Sequence, residues 1–151
     1  MYRVSAAVLA VVLGSGGLAQ SGSPTSEVAA IRLVLQQQRE AWNRRDLDAF
    51  MQAYWNSPDL TFVSGAVVYR GWQAALDRYR KAYQSEGKEM GTLDFSDLDI
   101  EALSPDAAFV RGAFRLRLAA GREPHGRFTL IFRRLPQGWR IVHDHTCAAT
   151  D

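Results

Sequence analysis

Gly126-Arg127-Phe128-Thr129-Leu130-Ile131-Phe132-Arg133-Arg134, a turn at Leu135-Pro136-Gln137-Gly138, and Trp139-Arg140-Ile141-Val142-His143-Asp144-His145-Thr146-Cys147 read as two antiparallel strands joined tightly. Pro136 in the second turn position and Gly138 in the fourth fit a type I turn closed by a left-handed glycine, which sets the register of the pair. Period-two alternation puts Trp139, Ile141, His143, His145 and Cys147 on one face and Arg140, Val142, Asp144 and Thr146 on the other. The second strand therefore starts as core and ends in polar chemistry. On this reading the two histidines share the core face, and Asp144 points away from them to pair with Arg115 or Arg133 on neighbouring strands.

Upstream of the hairpin, two more strands complete a meander. Phe109 to Leu118 alternates Val110, Gly112, Phe114, Leu116 and Leu118 against Arg111, Ala113, Arg115 and Arg117. Before it, Leu93 and Phe95 lie in one phase and Leu98, Ile100 and Ala102 in the other. An extra residue near Ser96-Asp97 accounts for the change and bends the strand. Earlier still, Leu60–Val63 and Ala66–Tyr69 are short β-rich runs around Ser64-Gly65, a small hairpin.

Three helical patterns precede or interrupt these strands. Ser23-Pro24 opens the first, with Val28, Ile31, Leu35 and Trp42 at helical spacing. Asp46 caps a second, with Leu47, Phe50, Met51 and Tyr54 on one face, ending at Asn56-Ser57-Pro58. The third runs from Trp72 until Gly87 stops it.

The chain has 151 residues and a net charge of +2, with 47% hydrophobic and 11% aromatic residues. That is one domain with a single core, and no basic block or glycine-rich phosphate loop argues for nucleic acid. Met1-Tyr2-Arg3, an apolar run from Val4 to Leu13 and small residues at Gly17-Leu18-Ala19 read as a signal peptide over residues 1–19. The apolar run is too short to span a bilayer comfortably. The expectation is a secreted or periplasmic protein of residues 20–151 with no membrane attachment after cleavage. Cys147 is the one cysteine, which leaves no intrachain disulfide, and it is read as a buried, inert thiol.

Ala41-Trp42-Asn43-Arg44-Arg45-Asp46, Tyr69-Arg70-Gly71-Trp72, Met90-Gly91, Gly126-Arg127-Phe128-Thr129-Leu130 and Gly138 through Thr146 resemble the SnoaL-like branch of the nuclear transport factor 2-like superfamily. The closing His-x-His strand also resembles the association domain of calcium/calmodulin-dependent protein kinase II, of the same superfamily. The resemblance implies an α+β, cone-shaped cystatin-like fold, three N-terminal helices packed on a curved antiparallel sheet with a pocket between them. It also implies a homodimer across the sheet. The superfamily holds isomerases, dehydratases and cyclases beside members that only bind or assemble, so fold does not decide function.

Site residues follow from the residue chemistry. His143 and His145 are read as polar anchors of the pocket or as general acid/base groups, since imidazole titrates near neutrality. With Cys147 and His125 they present a donor set for zinc or copper, but the resembling families do not generally use a metal there, and no metal or cofactor is expected. Trp42, Tyr54, Trp55, Tyr69, Trp72 and Tyr79 either line the pocket or form interhelix core. Arg115 either joins an exposed or intersubunit arginine row or reaches an anionic ligand. Isomerase-like members carry a catalytic carboxylate in or beside the first hairpin, and Leu60 to Gly71 has none. Three functions result: an exported protein that binds a small organic ligand, an enzyme with a pocket histidine as acid/base, or a dimeric assembly module.

Overall fold

The computed structural model describes residues 24–119 and 121–149, so the signal peptide reading lies outside the described residues. Pro24, whose fixed φ suits a first turn, opens α1 (Pro24–Asn43). Arg45, at φ 66°, breaks the chain away, and Asp46 starts α2 (Leu47–Met51) by accepting the Ala49 amide at 2.9 Å, a cap worth about 1 kcal/mol. Then come β1 (Thr61–Ser64), β2 (Val67–Arg70), α3 (Trp72–Tyr83), β3 (Thr92–Ser104), β4 (Ala107–Arg117), β5 (His125–Leu135) and β6 (Gly138–Ala148). Among the described residues no helix is long and apolar enough to cross a membrane.

All six strands form one sheet, in the order β2-β1-β6-β5-β4-β3. Strands β3 to β6 are the antiparallel meander. The small hairpin adds β1 alongside β6 in parallel, so the sheet is mixed rather than the wholly antiparallel one expected. The parallel edge arises because the segment after α2 already runs beside β6: Ile141 donates to Ala53 O and Trp55 donates to Ile141 O, both at 2.9 Å. Tyr54, read as part of the second helix, sits in this strip instead, bridged to Ile141. Helix α3 ends at Tyr83, one turn before Gly87.

Three register shifts interrupt the sheet, two in β3, between Ser96 and Asp99 and between Ala102 and Ser104, and one in β6. In β3 the register shifts between Ser96 and Asp99, with Asp97 at φ 52°, where the change of hydrophobic phase predicts a bulge. Opposite it, Gly112 leaves room for the Phe128 ring, because a Cβ there would lie 2.4 Å from Phe128 Cζ. At the β5–β6 turn Gly138 takes φ 101°, the left-handed conformation expected of it. The shift in β6 falls where Phe132 pairs with Ile141 but Ile131 pairs with His143, which leaves Val142 as the extra residue.

The helices cover the concave face. Ile31, Leu35, Met51, Leu60, Val110, Phe132 and Ile141 are essentially inaccessible, each side chain of this kind contributing about 1.5–3 kcal/mol by burial. Side-chain hydrogen bonds then hold α1 to the sheet entrance. Trp42 Nε1 donates to Met90 O at 2.8 Å, and the Asn43 amide exchanges two bonds with the Leu93 backbone. Arg45 adds a bond to Gly91 O.

Candidate functional site

Between the helices and the concave face lies a cavity of about 160 Å³. Phe62, Phe114, Leu116, Phe128, Leu130 and Ile141 form its sheet side, and Trp42, Phe50, Tyr79 and Tyr83 its helical side. The helical side is a connected aromatic wall. The Trp42 ring centroid lies 4.8 Å from Tyr83 and 6.1 Å from Tyr79, and Tyr79 stacks on Phe62 at 5.3 Å. Aromatic contacts of this geometry add stability beyond their buried area and stiffen the wall.

The polar centre of the cavity is Asp144. The β6 bulge puts it there. Trp139 and Ile141 point inward, Val142 and His143 together take the next outward step, and the following inward residues are Asp144, Thr146 and Ala148. The strip that carries Tyr54 runs in parallel past Ile141 and so delivers the Tyr54 ring to the same inner face. Tyr54 Oη donates to Asp144 Oδ2 at 2.7 Å, and Thr146 Oγ1 donates to Asp144 Oδ1 at 2.6 Å. Since the one Tyr54 hydroxyl proton is used on Asp144, Tyr79 Oη, 3.1 Å from Tyr54 Oη, donates to Tyr54.

The electrostatics follow from burial. Asp144 is 3% exposed. Desolvation pushes its carboxyl up to about 6, against the lowering effect of the Thr146 and Tyr54 hydroxyls and of His145. Tyr54 and Tyr79 are held well above the usual phenol range, first by burial and then by the Asp144 charge. Both phenols therefore stay protonated at any physiological pH, while the carboxylate can exchange a proton near neutrality.

The bulge corrects the placement of the histidines. His143 and His145 lie on the outer face of the sheet, outside the cavity, because the extra residue reverses the alternation that carries Trp139 and Ile141 inward. His143 Nδ1 is 2.5 Å from Thr61 Oγ1 on β1, and burial followed by the His145 charge lowers its pKa. His145 Nε2 is 3.4 Å from Cys147 Sγ, and both residues are exposed, so Cys147 is not the buried thiol read from sequence. The same reversal takes Asp144 away from Arg115 and Arg133. Among the described residues no group of three or more His, Cys, Asp or Glu side chains could hold a metal ion.

Of the aromatic candidates, Trp42, Tyr54 and Tyr79 line the cavity, and Trp55, Tyr69 and Trp72 do not. Tyr69 stacks behind Phe62 at 5.8 Å, and Trp72 Nε1 donates to Met51 O at 3.1 Å, tying α3 to α2. Arg115 is exposed on the outer face and paired with Glu123 at 2.8 Å, so it does not reach the cavity. Other arginines of its row are paired as well: Arg111 bridges Asp99 and Glu101, and Arg127 pairs with Asp97. Sequence reasoning misses Asp144, Gln38 and Arg78 as cavity residues. A polar residue on the buried face of α1 was a legible signal for Gln38, since Ile31, Leu35 and Trp42 share that face.

Residues 31–151 match the family model of the SnoaL-like domain, and the chain belongs to that family. Among solved structures it is similar to a nuclear transport factor 2-like protein of unknown function from Shewanella oneidensis. The two share 37% identity over 83% of this chain and 99% of that one, with a TM-score of 0.72. A nuclear transport factor 2-like superfamily protein from Salmonella enterica is 19% identical over 85% of this chain and 95% of that one, with a TM-score of 0.71. A ketosteroid isomerase-like protein from Erwinia carotovora atroseptica is 20% identical over 83% and 98%, with a TM-score of 0.66. The last two show the shared fold alone. A comparison with curated proteins finds no match.

Proposed function

We propose that this is an exported protein that binds a small, largely apolar organic molecule in the cavity, with Asp144 rather than the histidines as its polar anchor. One observation carries the reading: a carboxylate, buried in an aromatic cavity, whose partners all donate to it. With Asp144 ionised, Tyr79, Tyr54 and Thr146 all direct their protons toward the carboxylate, so this end of the cavity offers only acceptor positions. The ligand must then bring a hydroxyl or N–H donor. A cavity of about 150 Å³ holds a benzene ring, which sets the ligand at a single ring with small substituents.

Acid/base catalysis of the isomerase type is the second reading, favoured by the same carboxylate with its pKa near 6. It does not use the missing carboxylate of the first hairpin, because β1 offers Phe62 and Ser64 to the cavity. Two copies pairing across the outer sheet face complete the proposal. Its support is an apolar strip, with half-buried Phe109 and exposed Ile131 in register on β4 and β5.

Calorimetric titration of phenol into the protein and into Asp144→Asn tests the binding reading. Saturable binding weakened at least 10-fold by the substitution is expected. Absence of binding, or indifference to the substitution, overturns it. A monomer in native mass spectrometry would remove the pairing, and retention of residues 1–19 after expression in an exporting host would remove export.

A further inference from the structure

Helix α1 turns a glutamine into the cavity where its period calls for an apolar residue. Gln38 is 3% exposed and lines the cavity, and its side-chain amide has no hydrogen-bond partner among the described residues. Its polar atoms face the cavity space rather than being sealed in protein. An amide almost wholly buried, without a protein partner and open only to the cavity space, directs its hydrogen-bonding capacity to whatever fills the cavity, so this arrangement points to a group that arrives with the ligand.

Arg78 of α3 lines the same cavity, half-buried, with no carboxylate partner among the described residues. By contrast, Arg39 and Arg80 on the same two helices are paired, with Asp94 and Asp48, each at 3.2 Å. The Arg78 charge acts on Tyr79 and Tyr83. Tyr83 packs on Trp42, one turn beyond Gln38. Gln38 thus lines the cavity one turn before Trp42, Arg78 lies within electrostatic reach of Tyr83, and the Tyr79 ring connects the Trp42–Tyr83 pair to Tyr54 and Asp144.

The two polar regions ask for opposite chemistry. The Asp144 network accepts, whereas the guanidinium and the amide N–H groups donate, and a guanidinium pairs best with an anionic oxygen. The geometry points to a bifunctional ligand, a one-ring hydroxylated carboxylate whose hydroxyl donates to the Asp144 network and whose carboxylate is taken by Gln38 and Arg78. This rests on the binding reading above and adds a second anchor to it. The Arg78 charge offsets the repulsion between the ligand carboxylate and Asp144.

The test compares phenol with 4-hydroxybenzoate, 4-hydroxyphenylacetate and 4-hydroxycinnamate by calorimetry at pH 7.5, in the unmodified protein and in Gln38→Leu and Arg78→Gln. At least one hydroxy acid should bind 10-fold or more tightly than phenol, and each substitution should bring that ratio close to one. No gain over phenol, or a gain that survives Gln38→Leu, overturns the second anchor. Without ligand, Gln38→Leu should raise the melting temperature, because an unpaired amide gives way to an apolar group of similar size; a fall would show that the amide is satisfied internally and also overturn it. Phenol binding that depends on Asp144 without any carboxylate gain sinks this inference alone, whereas phenol binding indifferent to Asp144 sinks the first reading.

Discussion

Tyr54 Oη donates a 2.7 Å hydrogen bond to Asp144 Oδ2 across 90 residues of chain, and neither group is accessible to bulk water. The bond joins the strip after α2 to the last strand and sets the polar centre of the cavity.

Asp144 should make stability fall as pH rises. Its carboxyl titrates at about 6 in the fold and near 3.8 when unfolded, so between those values the native state holds a proton that the unfolded state has released. Native stability therefore decreases across that window, by about 3 kcal/mol for the full shift. Urea unfolding of the protein and of Asp144→Asn at pH 4 and pH 7 checks this. The difference in slope between the two should carry the effect, and parallel profiles would contradict it.

Tyr54→Phe removes the donor but keeps the ring. The Asp144 carboxyl, deprived of a hydrogen bond that lowers its pKa, should titrate above about 6, and stability at pH 7 should fall by roughly 1–3 kcal/mol. The carboxyl titration followed by carbon-detected NMR reports the first effect and urea unfolding the second. An unchanged midpoint would mean that the bond does not form in solution.

Gly112→Ala drives a methyl group into the Phe128 ring, 2.4 Å from Cζ and 2.8 Å from Cε2. Phe128 also lines the cavity, so the ring must tilt or the strand must shift. A loss of about 1–3 kcal/mol is expected from overpacking, with altered phenol affinity beside it. Thermal unfolding and calorimetry check both.

Substituting the outer-face histidines separates the cavity from the strand end. The double variant His143→Ala, His145→Ala should keep phenol affinity within about twofold and lose roughly 1 kcal/mol, mainly through the Thr61 contact. A collapse of phenol binding would place the histidines in the site after all.

The turn at Pro136 and Gly138, the proline opening α1 at Pro24, the cap at Asp46, the order of elements and the bend near Asp97 are all local, set by φ preferences, capping chemistry and hydrophobic period, and each is legible without coordinates. Trp42 and Tyr79 were legible as aromatic residues on helical faces for the same reason. What only the tertiary structure decided is which way the last strand faces. The hydrophobic pattern of β6 runs out after Ile141, so nothing local distinguishes a regular strand from one with an extra residue at Val142, and a single-residue slip exchanges the histidines for Asp144. The partner of that carboxylate was equally hidden. Tyr54 reaches it through a parallel bridge between the chain after α2 and β6, a long-range contact that no local sequence preference encodes.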